Sequence, residues 1–155
     1  MCGIGGFVDY ERDARTFRAT AQRMKRTLIP RGPDTEGDYH DPDALLVHRR
    51  LIVIDPEGGR QPMYSPDGNT ILIYNGELYN TEEIRRELLA HGHRFTGHSD
   101  TEVLLHAFLE WDTDAFSRLN GIFAFAIWQK KERRLVLCRD RLGVKPLFTA
   151  RTGGG

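Results

Sequence analysis

The chain opens with the stretch Met1-Cys2-Gly3-Ile4-Gly5-Gly6-Phe7, in which a cysteine is followed by glycines and the start of an apolar run. The apolar residues from Ile4 to Val8 predict a short buried strand. The glycines in and before this strand allow another backbone segment, or a substrate, to approach closely. An initiator methionine is normally removed before a residue as small as cysteine. We therefore expect Cys2 to become the first residue, directly before this strand.

A terminal cysteine carries a thiol and a free α-amine on one residue. The amine titrates at about 7.7–8.0 and the thiol at about 8.5, so the amine can accept the proton of the thiol near neutral pH. This arrangement favours Cys2 as a catalytic nucleophile with its own base. The alternative is a small buried side chain without chemistry, which is the common role of free cysteine. Position alone does not separate the two.

Beyond this stretch, the sequence predicts strands in runs with helices grouped between them. The predicted elements are a helix over 14–28, a strand over 45–54, a strand over 70–74, helices beginning after Asn80 and after Ser99, and a hairpin of 122–128 with 135–139. Asn80 with Glu83, and Ser99 with Glu102, have the spacing of a capping box. This grouping favours an α+β fold over a doubly wound parallel sheet.

The charge balance limits the classes of partner. The 155 residues include 22 Lys and Arg and 22 Asp and Glu, so the formal net charge is zero. Such a chain has no basic excess for a nucleic-acid backbone or an anionic membrane. The longest apolar run, 122–128, is also too short to span a bilayer. We therefore expect neither nucleic acid nor membrane as a partner.

The cysteine content and the start of the chain bear on its location. The sequence has two cysteines, too few for a secreted disulfide framework, and it lacks the basic start and long apolar run of a signal peptide. These features predict a cytoplasmic protein with reduced thiols. The length suits one globular domain, which we place at residues 1–150. Residues 151–155 are interpreted as a frayed, flexible end or an expression-vector remnant.

Asn75 and Gly76 follow the apolar strand over 70–74. Asn-Gly is a strong hairpin-turn signal, yet the pattern that follows is a helix start and not a second strand. A side-chain amide beside a glycine N–H can also supply two donors to an oxyanion. Both interpretations stay open on these residues alone.

Two charged residues are notable for their surroundings. Arg50 lies within an apolar strand, where a charge needs a partner or a ligand. A guanidinium there could hold a carboxylate through two hydrogen bonds, and a charge on an edge strand is the alternative. Asp100 lies in the first turn of a predicted helix, where the helix dipole favours any acid.

Sites of several other kinds are not supported. The six histidines are scattered, and neither His-Glu-x-x-His nor Cys-x-x-Cys occurs, so we expect no metal site. The Gly-x-x-x-x-Gly-Lys phosphate loop and the Gly-x-Ser-x-Gly elbow of serine hydrolases are also missing.

Several motifs in a fixed order resemble one family closely. They are Met1-Cys2-Gly3-Ile4-Gly5-Gly6-Phe7, Arg31-Gly32-Pro33-Asp34, His48-Arg49-Arg50-Leu51, Gln61-Pro62-Met63, Asn75-Gly76-Glu77-Leu78-Tyr79-Asn80, Ser99-Asp100-Thr101-Glu102 and Arg139-Asp140-Arg141-Leu142-Gly143. Together they are similar to the amino-terminal glutaminase domain of glutamine-dependent asparagine synthetases. These are class II glutamine amidotransferases within the N-terminal nucleophile hydrolases. The likeness runs from Met1 to about Phe148.

The resemblance implies a four-layer αββα sandwich of two mainly antiparallel sheets. It also implies hydrolysis of L-glutamine to glutamate and ammonia through a thioester on Cys2, with Asn75 and the N–H of Gly76 as the oxyanion hole. The residues implied to bind the substrate are Arg50 at its α-carboxylate, Asp100 and Glu77 at its α-ammonium, and the backbone of Leu51 and Val53.

Some features depart from the family pattern. Pro30 stands where the family usually has histidine, and Ile52 stands where it often has serine. Both positions lie near the expected pocket, so the differences bear on the loops around it and not on the residues that carry the chemistry. The family's synthetase domain, which uses ATP and Mg to amidate aspartate to asparagine, is not in this sequence. The family's glutaminase domain also continues with further sheet and helix beyond this point, so we expect a fold truncated at its C-terminal end, without a cofactor of its own. The ammonia would pass to that missing domain, and the full-length protein would be a homodimer.

Three interpretations follow. The first is an active thiol glutaminase. The second is an inert, truncated regulatory or folding module. The third is the glutaminase half of an amidotransferase with a different acceptor.

Overall fold

The computed structural model describes residues 2–52 and 58–151, which form strands and helices around two sheets. The strands are β1 Gly3–Val8, β2 Thr35–His40, β3 Ala44–Arg50, β4 Met63–Tyr64, β5 Thr70–Leu78, β6 Gly121–Gln129 and β7 Arg134–Arg139. The helices are α1 Arg18–Thr27, α2 Thr81–Ala90, α3 Asp100–Trp111 and α4 Ala115–Arg118, with 3-10 turns at Ala14–Phe17 and Asp112–Asp114.

The first sheet has β3 at its centre, antiparallel to β1 on one side and to β2 on the other. Every residue of β3 is buried, because both of its faces are covered. Leu45 and Val47 pack against α1 and the 3-10 turn before it, whereas Ala44 and Leu46 pack towards the second sheet. This period of two is expected of a strand with apolar cover on both sides.

The second sheet has the order β4-β5-β6-β7, and all of its neighbours are antiparallel. Its centre is the long pairing of β5 with β6, from Thr70 opposite Gln129 to Leu78 opposite Gly121. Ile71 in β5 packs towards the first sheet, while Leu72 packs on the other face with α2 and α3.

Three apolar clusters therefore separate four layers. One lies between α1 and the first sheet, one between the two sheets, and one between the second sheet and the pair α2 and α3. This order confirms the expected α+β class and the αββα sandwich. None of the helices in the described part of the chain has the length and apolar character needed to cross a lipid bilayer.

Several element boundaries differ from the sequence prediction. The helix predicted over 14–28 is a 3-10 turn followed by α1, and Asp13 caps the turn by accepting the N–H of Arg15 at 3.0 Å. The strand predicted over 45–54 ends at Arg50. Residues 53 and 54 of that prediction lie outside the described residues. The sequence patterns did not predict β2 or β4.

Two local predictions are wrong. The strand β5 continues through Asn75 and Gly76 to Leu78, so Asn-Gly is not a turn here. The side chain of Asn80 makes no cap hydrogen bond. Instead, it donates to the carbonyl of Arg118 and accepts from the N–H of Asn120, both at 2.9 Å, which ties the start of α2 to the start of β6.

Candidate active site

A cleft of about 220 Å³ lies where the ends of β1 and β3 meet β5 and the start of α3. The predicted site residues that line it are Cys2, Arg50, Leu51, Asn75, Gly76, Glu77 and Asp100. The remaining predicted site residue, Val53, lies outside the described residues, as does Met1. The lining residues are far apart in the sequence, and only the fold brings them together.

The position of Cys2 follows from the pairing of β1 with β3. Because Gly3 pairs with Arg49, Cys2 lies beside the end of β3. Its thiol donates a long hydrogen bond to the carbonyl of Leu51, with 3.8 Å between sulfur and oxygen. The Nε of Arg31 donates to the backbone carbonyl of Cys2 at 3.3 Å. Cys2 is half-buried, so its sulfur is held in place and is still accessible from the cleft.

His48 and Arg50 lie on the face of β3 that is turned towards the second sheet, in line with Leu46. His48 is buried, and its Nε2 donates to the carbonyl of Tyr74 at 3.2 Å, which links the two sheets beneath the cleft. Burial lowers the pKa of His48 to about 4, so its ring is neutral near pH 7. Arg50 is 5% exposed and brings a positive charge to the cleft wall.

The edge of β5 that faces away from β6 presents backbone N–H groups to the cleft. The N–H of Tyr74 donates to Oε1 of Gln61 at 2.6 Å. The N–H of Leu78 donates to Oδ2 of Asp100 at 3.2 Å. Because successive N–H groups alternate between the two edges of a strand, the N–H of Gly76 lies on this same edge, between them. Within residues 2–52 and 58–151, no side chain accepts a hydrogen bond from it.

Asn75 and Gly76 place two donors next to each other. Asn75 is buried, and its amide has no hydrogen-bond partner among the described side chains. A Cβ on Gly76 would lie 2.4 Å from the carbonyl oxygen of Ile122 and 2.6 Å from Cβ of Phe123, so only glycine fits against β6. The strand therefore holds an amide and a backbone N–H in the same cleft as the Cys2 thiol.

The start of α3 is held by its own side chains. Oγ of Ser99 accepts the N–H of Glu102 at 3.2 Å, as the predicted capping box requires. The carboxylate of Glu102, however, binds the N–H groups of Thr96 at 2.8 Å and Gly97 at 2.9 Å, in the loop before the helix. These hydrogen bonds fix both ends of the segment 96–102, and Asp100 within it lines the cleft.

Other residues of the cleft are missing from the sequence prediction: Gly59, Gln61, Tyr74, Ser99, Thr101, Ile122 and Lys145. Gln61, Ser99 and Thr101 belong to the ordered motifs, and membership of these motifs was the only signal for them in the sequence. Nothing in the local pattern around Tyr74 or Lys145 marks either one as a site residue, because their contacts depend on segments distant in the chain.

Lys145 reaches the cleft because Asp140 holds the loop after β7. The carboxylate of Asp140 accepts the N–H groups of Phe123 at 3.1 Å and of Val144 and Lys145 at 2.9 Å. Burial alone would raise the pKa of Asp140, but these N–H donors outweigh it and lower the pKa, so the group stays ionised. Asp140 belongs to the Arg139-Asp140-Arg141-Leu142-Gly143 motif, and these hydrogen bonds give it a structural role.

The cleft combines the parts of a nucleophilic site for a small charged molecule. A thiol, a side-chain amide and a backbone N–H line the same space as a guanidinium and two carboxylates. Opposite charges in one cleft suit a zwitterion. The described part of the chain contains no cluster of three His, Cys, Asp or Glu side chains that could hold a metal ion.

Comparison with known proteins identifies relatives of the whole chain. The family model for the glutamine amidotransferase domain matches residues 1–155. Glutamine-hydrolysing asparagine synthetase 3 of Bacillus subtilis (strain 168) is 53% identical over 156 residues, which cover 99% of this chain and 25% of that protein. Glutamine-hydrolysing asparagine synthetase 1 of the same organism is 41% identical over 150 residues, which cover 96% of this chain and 24% of that protein. This chain thus spans about a quarter of the length of these curated relatives.

Solved structures share the fold. The glutamine phosphoribosylpyrophosphate amidotransferase of B. subtilis, complexed with ADP and GMP, has a TM-score of 0.66 and 19% identity, over 90% of this chain and 37% of that chain. A structure described as the allosteric regulatory enzyme of purine biosynthesis has a TM-score of 0.55 and 26% identity, over 68% of this chain and 25% of that chain. At 19% identity, the first of these likenesses shows the fold alone.

Proposed function

The chain belongs to the glutamine amidotransferase domain family, and from this premise we propose that residues 1–150 hydrolyse L-glutamine to L-glutamate and ammonia through a thioester on Cys2. The observation that carries the proposal is the meeting of the Cys2 thiol, the Asn75 amide and the Gly76 N–H in one cleft. A nucleophile beside two hydrogen-bond donors is the arrangement that acyl transfer needs.

The reaction begins with attack of the Cys2 sulfur on the side-chain amide carbon of glutamine. The α-amine of Cys2, free once Met1 is removed, accepts the thiol proton as the sulfur–carbon bond forms. The amine then gives that proton to the amide nitrogen, the carbon–nitrogen bond breaks, and ammonia leaves. Water attacks the thioester that remains, which releases glutamate and restores the thiol.

The amide oxygen of the substrate gains negative charge during the attack. In this proposal Asn75 and the N–H of Gly76 stabilise that charge as the oxyanion hole. Their support is structural, since both are held by the pairing of β5 with β6 and need no rearrangement when the charge develops.

The substrate is selected by charges at its amino-acid end. In this proposal Arg50 binds the α-carboxylate, while Asp100 and Glu77 bind the α-ammonium. The backbone of Leu51, which lines the cleft, is proposed to contact the substrate, and the same role is proposed for Val53, which lies outside the described residues. Arg50 is buried, Asp100 is half-buried at the first turn of α3, and Glu77 is exposed on β5, so the three charges differ in their contact with solvent.

We also propose a destination for the ammonia. The relatives are named glutamine-hydrolysing asparagine synthetases, and this chain spans a quarter of their length. The ammonia would be used by a separate ATP-dependent synthetase domain that amidates aspartate to asparagine. ATP and Mg would belong to that domain, and the glutaminase would need no cofactor. The full-length protein would be a cytoplasmic homodimer that binds neither nucleic acid nor membrane.

Ammonia release from L-glutamine, measured together with the intact mass of the chain, tests the proposal. A chain that begins at Cys2 should release ammonia, and a glutamine-like diazoketone should add one equivalent to Cys2 and none to Cys138. A processed, folded chain that shows neither release nor labelling would favour the inert module.

A further inference from the structure

The carboxylate of Asp100 is held at one of its two oxygens. Its Oδ2 accepts a hydrogen bond from the hydroxyl of Tyr74 at 2.7 Å and another from the N–H of Leu78 at 3.2 Å. Among the residues that the structure describes, none donates a hydrogen bond to Oδ1. One oxygen of Asp100 is therefore fixed to β5, and the other is left for a ligand in the cleft.

Tyr74 is well placed to fix this carboxylate because its own side chain is buried in the core. It is 2% exposed and packs in the core between β5 and the helices α2 and α3. Burial, reinforced by the charge of Asp100, raises the pKa of Tyr74, so its hydroxyl stays protonated and donates.

A second connection joins the same two elements. Gln61 accepts the N–H of Tyr74 at 2.6 Å through Oε1, and its Nε2 donates to Oγ1 of Thr101 at 3.5 Å. Thr101 follows Asp100 in α3 and is buried. The strand β5 and the start of α3 are thus linked a second time, through Gln61.

We propose that Tyr74 is a positioning residue whose hydroxyl orients the Asp100 carboxylate so that Oδ1 receives the α-ammonium of an amino-acid substrate. The inference rests on the proposed function, which supplies that substrate. A carboxylate that rotates must lose this freedom when it binds an ammonium, whereas a fixed one is already oriented. Tyr74 therefore affects binding of the amino-acid end and leaves the bond-breaking step unchanged.

Binding of L-glutamine to chains that carry Cys2→Ala tests this role without turnover. In that background Tyr74→Phe removes only the hydroxyl, and calorimetry should show a Kd about tenfold higher, as expected for the loss of a hydrogen bond to a charged group. A competing ligand without the α-amino group, 4-carbamoylbutanoate, should bind both chains with a Kd equal within about twofold. Tyr79→Phe is the matched control, because Tyr79 is 60% exposed, and its Kd for L-glutamine should not change.

Two results would overturn the inference. One is an unchanged Kd for L-glutamine in Tyr74→Phe. The other is equal weakening of L-glutamine and 4-carbamoylbutanoate, which would show that the hydroxyl supports the whole cleft and not the ammonium site. Thermal unfolding of the same proteins checks that each variant is folded.

The inference and the proposed function fail separately. A wild-type chain that binds L-glutamine but releases no ammonia overturns the proposed function. The change in the Kd for L-glutamine caused by Tyr74→Phe still decides the role of Tyr74. If the wild-type chain is active and Tyr74→Phe leaves the Kd for L-glutamine unchanged in the Cys2→Ala background, the inference alone is overturned. Failure of every variant to bind L-glutamine overturns both.

Discussion

Cys2 and Cys138 are both half-buried, yet their surroundings differ. Cys2 lines the cleft beside Asn75 and Gly76. Cys138 lies in β7, where burial raises its pKa. A higher pKa leaves less thiolate, which is the nucleophilic form. The position of Cys2 in the cleft therefore distinguishes it from Cys138, and in the proposed function the α-amine freed by removal of Met1 adds a base on the same residue.

Replacement of Cys2 by serine should reduce ammonia release to background, because a hydroxyl is a much weaker nucleophile than a thiolate near neutral pH. Cys138→Ser should keep most of the activity. A steady-state ammonia assay, with circular dichroism to verify folding, measures both. Equal loss from the two variants would indicate a folding effect and contradict the assignment of Cys2.

Loss of the Asn75 amide should affect the rate and not the affinity. Asn75→Ala should lower kcat by about 10²- to 10³-fold with little change in KM, the usual effect of removing one oxyanion donor. Asn69→Ala is the control, since the Asn69 side chain contacts Glu132 and Lys131 away from the cleft. A raised KM at constant kcat would place Asn75 in ground-state binding instead.

At the scale of the element, the two faces of one strand separate function from structure. In β3, Arg50 faces the cleft, whereas its buried neighbour Arg49 lies on the opposite face of the strand, in line with Leu45 and Val47. Arg49 donates to the carbonyl of Gly32 at 2.8 Å and to Glu36 at 2.6 Å, and so holds the loop that precedes β2. The two adjacent arginines therefore have different surroundings.

Matched lysine substitutions should show this difference. Arg50→Lys should raise the KM for L-glutamine by about tenfold, close to 1.4 kcal/mol, because lysine lacks the planar pair of donors. Arg49→Lys should lower the melting temperature and leave KM close to that of the wild type. Steady-state kinetics and thermal unfolding measure both. An unchanged KM in Arg50→Lys would mean that the carboxylate binds elsewhere.

The link between β3 and β5 through His48 predicts a pH effect on stability. The pKa of His48 is lowered by burial from 6.5 to about 4, so between these values the unfolded chain binds more protons than the folded one. Stability therefore falls as the pH falls through this window.

Between pH 7 and pH 5, the His48 contribution to the free energy of unfolding should fall by about 2 kcal/mol. Denaturant unfolding at both pH values should show a smaller loss for His48→Gln, which cannot titrate. If wild type and His48→Gln lose the same stability, His48 is not the group responsible.

At the scale of the whole molecule, the strongest apolar patterns predict most of the layers. The helices α2 and α3 and the hairpin of β6 with β7 were predicted because their apolar spacing is regular. The strand β2 was not predicted, because Thr35–His40 is mainly polar. Its outer side chains pair with other elements: Lys25 donates to Glu36 at 3.1 Å, and also to Asp38.

Only part of the candidate site was predicted, because only some of its residues belong to patterns that are visible in the sequence. Cys2, Arg50, Asn75 and Asp100 belong to motifs that can be recognised in the sequence. The continuation of β5 through Asn75 was not predicted, because the edge hydrogen bonds that hold it come from Gln61 and from the start of α3. The positions of Gln61, Tyr74 and Lys145 likewise depend on contacts between distant segments, which local patterns do not contain.

The catalytic role of Cys2 is tested most directly by the rate of ammonia release as a function of the fraction of chains that lack Met1, determined by intact mass. The rate should rise in proportion to the fraction that begins at Cys2 and should be at background in a chain that keeps Met1. Full activity in a preparation whose chains all retain Met1 would contradict that role.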